Sequence, residues 1–359
     1  MVEARSIETL SVCFTAGVIA GTMFPCSFPV LPWLLFFLLS SAFFLRDRIV
    51  LLRPAGSLAV MAAVFLATGL FCAWNAGRPG IGMPSLLESL ACRAATQLRG
   101  LIGALPFRSE DTAALVTAFL TGERSGLDSR TLSVFRASGA SHVLALSGLH
   151  MGILYLLLNQ LTRWMGNSPS ARKIRFALNL TAAGFFTLMT GAGASVVRAF
   201  LFITINETLQ LLNRPRRPAR VLCLALLVQL TLDSGAIRGL GFQLSYLAMA
   251  GIFFLFPTLE SWYPASVKWD PFRKIWTMAA LSISCQLTTA PLVWLRFHTF
   301  PRYFLLTNLL AIPLVTVILA TAVVTVSLSA LGICPAFLYT ATDGLCRLLL
   351  WVLEVISSL

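Results

Sequence analysis

Residues 303–331 read YFLLTNLLAIPLVTVILATAVVTVSLSAL, 29 residues without one charged side chain. A helix needs about 20 consecutive apolar residues to cross the hydrocarbon layer. This run therefore suffices for one tilted span, or for a span with a re-entrant piece. Pro313 lies inside it and would kink a helix, because proline removes a backbone donor and collides with the preceding turn.

Outward from this run, apolar stretches bounded by charge or by Pro/Gly recur at 8–24, 28–45, 55–74, 143–163, 174–190, 195–212, 220–232, 239–258, 275–295 and 335–356. Together they predict an all-α, polytopic integral membrane protein of ten or eleven transmembrane helices. Composition agrees, with 57% hydrophobic and only 11% charged residues. A soluble domain is about one quarter charged, so a single water-soluble globular fold is excluded. The N-terminal run from Leu10 to Phe24 is followed by Pro25 and Cys26 without a small-residue cleavage pattern, and is expected to stay on the chain. Most of the eight Cys lie in or beside apolar runs and no CxxC occurs, which predicts buried small residues rather than a redox or metal set.

The net charge of +13 suggests a nucleic-acid partner until it is sorted by loop. Arg46, Arg48 and Arg53; Arg163, Arg172, Lys173 and Arg175; Arg214, Arg216, Arg217 and Arg220; and Lys268, Arg273 and Lys274 fall in four connections. The short alternate connections around 25–29, 190–194, 233–238 and 296–302 hold only Arg238, Arg296 and Arg302. Basic residues collect in cytoplasmic loops whatever a membrane protein carries. The N-terminus is then expected in the cytoplasm and the long connection 75–142 outside. This divides the chain into three N-terminal spans (1–75), an outer amphipathic interfacial helix segment (76–112) and a transmembrane domain (113–359). In the outer segment Leu87, Ala91, Ala94, Leu98, Leu101, Ile102 and Leu105 recur at helical spacing, as in a helix lying on or just under the lipid headgroups.

Three His and no HExxH make a hydrolytic metal site unexpected. Ser147 in Ala145-Leu146-Ser147-Gly148-Leu149 lacks the first Gly of a nucleophile elbow, and no phosphate-binding Gly loop occurs. No catalytic residues, metal or cofactor are expected, and the chain reads as a transporter rather than an enzyme. Arg136, Ser138, Ser141, His142, Ser147 and His150 make the outer half of 143–163 polar, either as glue between helices or as the lining of an aqueous path. If that segment is helical throughout, His142 and His150 lie ~80° apart and border one groove. Arg198 and Glu207 share one span but lie ~180° and ~13 Å apart, so they cannot pair. Charge within a span is costly to insert, which makes Arg198 a candidate for contact with a passing polyanion. Asp343 and Arg347, four apart, read as a self-neutralising pair. Gln286 precedes Pro291 in a Ser/Thr-rich stretch that forms either a kinked packing helix or a broken helix beside a cavity, and Asn308 belongs to the second reading. Gln243 and Ser245 read equally as glue and as cavity lining.

The stretch Ala114 to His150, ALVTAFLTGERSGLDSRTLSVFRASGASHVLALSGLH, resembles the opening of the competence domain of ComEC-type DNA internalisation proteins. TGAGASVVRA (190–199), LDSGAIRGLGFQLSYLAMAGI (232–252) and SCQLTTAPLVWLRFHTFPRYFLLTNLLAIPL (284–314) resemble further blocks of that domain in the same order. The resemblance implies a multi-pass bacterial inner-membrane channel that imports single-stranded DNA during natural transformation while the other strand is degraded. The motif positions that transfer are Gly139, Ser141, His142, Ser147, Gly148, His150, Arg198, Gln243, Ser245, Pro291 and Asn308. That Arg136, Ser141, His142, Ser147, His150, Arg198, Gln243, Ser245, Gln286 and Asn308 line a DNA path is a hypothesis set on these blocks and not a property of the family. Structural motif positions are Gly139, Gly148, Gly191, Pro291 and Pro313.

The implied partners are single-stranded DNA, membrane lipid, and a separate DNA receptor, cytoplasmic helicase-like motor and nuclease, with homo-oligomerisation open. Relatives often carry an outer oligonucleotide-binding-type barrel and a C-terminal lactamase-like domain. Residues 75–110 are too short and too helical for the first, and the His-x-His-x-Asp-His motif of the second is absent, so the chain is not expected to degrade DNA itself. A permease for a small polar or lipid-linked solute, or a structural remnant of a longer uptake protein, are the rival readings.

Overall fold

The computed structural model describes residues 2–23, 65, 66, 68, 69, 85–166, 168–264, 270–298 and 301–359. The expected spans 28–45 and 55–74, the basic loop at 46–53, Lys268, Cys26 and Cys72 lie outside these, apart from the four positions between 65 and 69. Among the described residues the fold is all-α, with no strand. The helices are α1 (Val2–Met23), α2 (Ser85–Gly103), α3 (Glu110–Thr121), α4 (Ser129–Ala137), α5 (Ser141–Leu144), α6 (Gly148–Leu161) and α7 (Pro169–Met189). They continue as α8 (Ala194–Leu211), α9 (Pro218–Leu232), α10 (Leu240–Phe254), α11 (Phe256–Glu260), α12 (Pro271–Phe297), α13 (Phe304–Ala330) and α14 (Ala336–Ser357). Two compact units emerge, Met1–Met83 with Phe200–Gln243, and Pro84–Ala199 with Leu244–Leu359.

Helix ends follow local chemistry. Ser168 and Asp270 accept backbone N–H groups at the starts of α7 and α12, each with proline in the first turn, where its missing donor costs nothing. Among the described residues three helices, α12 to α14, are long and apolar enough to cross a membrane. α12 and α13 run unbroken through Pro291 and Pro313. In α12, Ser284, Thr288 and Thr289 donate to carbonyls one turn back, which favours a packing helix over a broken one.

In the first unit α1 packs on α9, with Phe14, Val18, Val221 and Ala225 buried. Gly17 and Gly69 make the approach of α1 to residues 65–69 reciprocal: a Cβ on Gly17 would strike the Leu66 carbonyl, and one on Gly69 the Phe14 carbonyl. Small residues serve this role between membrane helices because they let backbones touch.

In the second unit α13 buries Ala311, Val315, Ile318, Leu319, Ala322 and Val326, a three-and-four-residue stripe. α14 answers with Cys346, Leu349, Leu353 and Ile356. The opposite face of α13 exposes Leu306, Leu310, Val317 and Val324, an apolar exterior suited to lipid and not to water. Leu115, Val116 and Phe119 of α3, Ile102 of α2 and Phe135 of α4 are fully or almost fully buried with the α13 and α14 stripes. Of the seven periodic positions Ala91 and Ile102 are buried and Leu87 is exposed, and α2 packs on α3 and α7.

The expected Asp343–Arg347 pair does not form. Asp343 is fully buried, whereas Arg347 on the same helix is exposed. The carboxylate accepts the Arg108 backbone N–H instead (2.8 Å), fastening the α2–α3 connector to α14. Asp343→Leu strands that donor and is expected to cost about 1–3 kcal/mol. Asp343→Asn keeps an acceptor and loses less; equal melting of wild type and the Leu variant in detergent would refute this role.

Candidate functional site

The 114–150 stretch folds back on itself. α3 ends at Gly122, whose left-handed φ of 81° suits glycine, and whose missing Cβ leaves room for Leu146 of the Leu-Ala-Leu-Ser-Gly segment. Phe119 and His150 bring their rings to 6.0 Å. Between them, Glu123 bonds Ser125 and pairs with Arg99 (3.4 Å), and these contacts hold its carboxyl below the ordinary range. Asp128 caps α4 through Thr131, with the same effect.

The polar stretch 141–150 is not one helix. α5 ends at Ala145 in extended backbone and α6 starts after Ser147, also extended. The eight-residue spacing of His142 and His150 therefore does not set their relation. His142 is exposed, with Nδ1 3.2 Å from the Gly139 carbonyl. His150 is buried: its Nδ1 accepts the Ser147 N–H (3.3 Å), Ser147 Oγ stands 3.1 Å from the same atom, and Nε2 has no partner among the described residues. Ser147 accepts Leu149 N–H in turn, completing a capping box with His in place of the usual Glu.

The other blocks meet this one within the second unit. The Arg198 guanidinium lies against Gly148, where a Cβ would stand 3.6 Å from Nη2. The same guanidinium sits 5.8 Å over the Tyr246 ring. Ser195, three residues before Arg198 on α8, donates to Ser245 (3.2 Å). At the far side Thr307 donates to the Ser138 carbonyl (2.7 Å), and Gly139, with φ 79°, leaves no space for a Cβ beside Pro301. Ser147, Gly148, Arg198 and Ser245 thus come together.

Other positions stay apart. Arg136 is exposed in the last turn of α4, and Ser141 reaches back to the Phe135 carbonyl. Gln243, in the first unit, donates to the Ile237 carbonyl (2.8 Å), closing a local turn. Gln286 is half-buried on α12, and Asn308 has a buried Oδ1 without a partner. Gly191 is exposed in the α7–α8 turn at φ 77°. Sequence reasoning missed Tyr246, although it directly follows Ser245 in the matched block. Among the described residues no cluster of His, Cys, Asp and Glu could hold a metal.

A family model described as Competence protein matches residues 119–359, about two thirds of the chain. ComE operon protein 3 of Bacillus subtilis (strain 168) is 28% identical over 206 residues, 57% of this chain and 25% of that protein. An uncharacterized protein, YcaI, of Escherichia coli (strain K12) is 28% identical over 251 residues, 67% of this chain and 33% of that protein. The chain thus spans a quarter to a third of the length of these curated relatives. No solved structure matches.

Proposed function

The chain belongs to the competence protein family, and from that premise we propose that it is the bacterial inner-membrane channel through which one DNA strand enters the cell during transformation. The observation that carries this reading is Arg198: a cation within a membrane domain, set where two motif blocks meet, with a buried Nη1 that no acceptor among the described residues satisfies. A strand offers phosphates to such a group and base faces to aromatic walls such as Tyr246. In this reading the N-terminus is cytoplasmic and the chain crosses the membrane ten or eleven times. Arg136, His142 and His150 flank the outer mouth, and Gln286 and Asn308 contribute further along the path. The chain does no chemistry; a separate motor draws the strand in, a separate receptor delivers it and a separate nuclease removes its complement.

The test is uptake of labelled DNA. Deleting the gene in the source bacterium is expected to reduce internalised label to background, and expressing this chain is expected to restore it. Normal uptake in the deletion strain would sink the channel reading and leave a solute permease in its place.

A further inference from the structure

Arg347 is the twelfth of the 22 residues of α14, a helix long and apolar enough to cross a membrane. At 1.5 Å of rise per residue it lies about 15 Å along the axis from either end, beyond the reach of snorkelling to the surface. Its side chain is exposed, and its guanidinium makes no ion pair, hydrogen bond or ring contact with any described residue. The buried stripe of α14 turns to α13, and Arg347 stands on the other side. Gly344 lies one turn before it and Trp351 one turn after, with Val355 beyond, all exposed. A lone guanidinium facing hydrocarbon at mid-depth is costly. On Gly344 a Cβ would meet nothing within 4 Å, so a neighbouring backbone has room to approach there. Arg and Trp are also the side chains that most often dominate binding at an interface.

We infer that the Gly344–Arg347–Trp351 face of α14 docks a membrane helix of another protein, one that carries an Asp or Glu at mid-span. Pairing removes both charges from contact with hydrocarbon, so each helix supplies what the other lacks. The carboxylate has to come from outside this chain. Within its apolar stretches the acids are Glu8, Glu207, Asp343 and Glu354. Glu8 opens its stretch and does not lie at mid-depth, and Glu207 already has an interaction. Asp343 is fully buried on the Arg108 N–H, and Glu354 pairs with Arg130 (3.1 Å). A second copy brings the same committed acids. About a two-fold axis it would also set Arg347 against Arg347, like charge on like.

The test uses the full chain, labelled at its N-terminus, in phosphatidylcholine vesicles. Energy transfer reports binding of a synthetic Leu/Ala helix of about 22 residues with one central Asp, beside peptides with Leu or Lys at that place. Wild type is expected to bind the Asp peptide about tenfold more tightly than the Leu peptide, and the Lys peptide no better than the Leu peptide. Arg347→Leu should bind the Asp and Leu peptides alike. Arg347→Glu should reverse the order and favour the Lys peptide. The Leu variant puts an apolar side chain on an exposed apolar face, so its fold is expected to stand, and the comparison among peptides on wild type needs no variant.

Equal affinity of wild type for the three peptides would overturn the docking face. An Asp preference that persists in Arg347→Leu would do the same, because the acceptor would then lie elsewhere. A wild-type dimer in detergent that Arg347→Leu turns into a monomer would give the face to a second copy and sink the inference. None of these outcomes bears on DNA uptake, so the channel reading stands or falls by its own test.

Discussion

Gly251→Val is expected to abolish the folded protein. A Cβ at this position would fall on the Ser284 carbonyl and 2.6 Å from Thr288 Oγ1, because α10 and α12 touch there through backbone. Neither neighbour can yield easily: Ser284 is fully buried, and the Thr288 hydroxyl is already bonded to the carbonyls of Ser284 and Cys285. Forcing the helices apart also opens their shared interface, so a loss of about 3 kcal/mol or more is expected. The comparison is Gly344→Ala on α14, where nothing lies within 4 Å of the new Cβ. That variant should be unchanged or up to ~1 kcal/mol more stable, since Ala is the better helix former. Thermal melting of both in detergent decides it, and a Gly251→Val protein that melts like wild type would show that α10 and α12 do not approach in this way.

Gly139→Val is expected to be nearly as damaging, for two reasons that add. The left-handed φ of 79° is a conformation that a β-branched residue strongly resists, and a Cβ would stand 2.6 Å from Pro301 Cβ. A loss on the order of 2–4 kcal/mol follows. The neighbouring Ser138 carbonyl receives the Thr307 hydroxyl, so a shift here also disturbs the start of α13. Gly126→Ala, with ordinary 3.6 Å contact to Ala114 Cβ, should change stability little. If the two variants melt alike, Gly139 is not the constraint described.

Much of the fold is legible in the sequence because lipid imposes one secondary structure on long apolar runs. The run 303–331 became α13 at 304–330, and 335–356 became α14 at 336–357. The run 143–163 misled, because apolar continuity hides a cap: Ser147 competes for backbone donors and divides α5 from α6, although no charge marks the division. The fate of residues 85–137 was also hidden. Amphipathic spacing reports that one face is buried, not what buries it, and α3 is covered by helices about 200 residues away. The same holds for Asp343, whose helical neighbour Arg347 was the only partner that sequence spacing could offer.

At the site, Arg198, Ser147, Gly148 and Ser245 are named by the motif blocks, and their meeting is a tertiary fact. Arg136 and Gln243 belong to those blocks too, yet the first points outward and the second closes its own turn. Block membership therefore marks both residues that gather and residues that only shape the chain between them.

The bond from the Arg108 N–H to Asp343 joins positions 235 residues apart. At about 5–20 residues per second of synthesis, roughly 10–50 s separate the appearance of the two ends. Through that interval α3 has made its apolar face and lacks the α13 and α14 stripes that cover it. Assembly must therefore close around a helix made well before its cover, and anything that shields residues 110–121 in the meantime sets the yield of native protein.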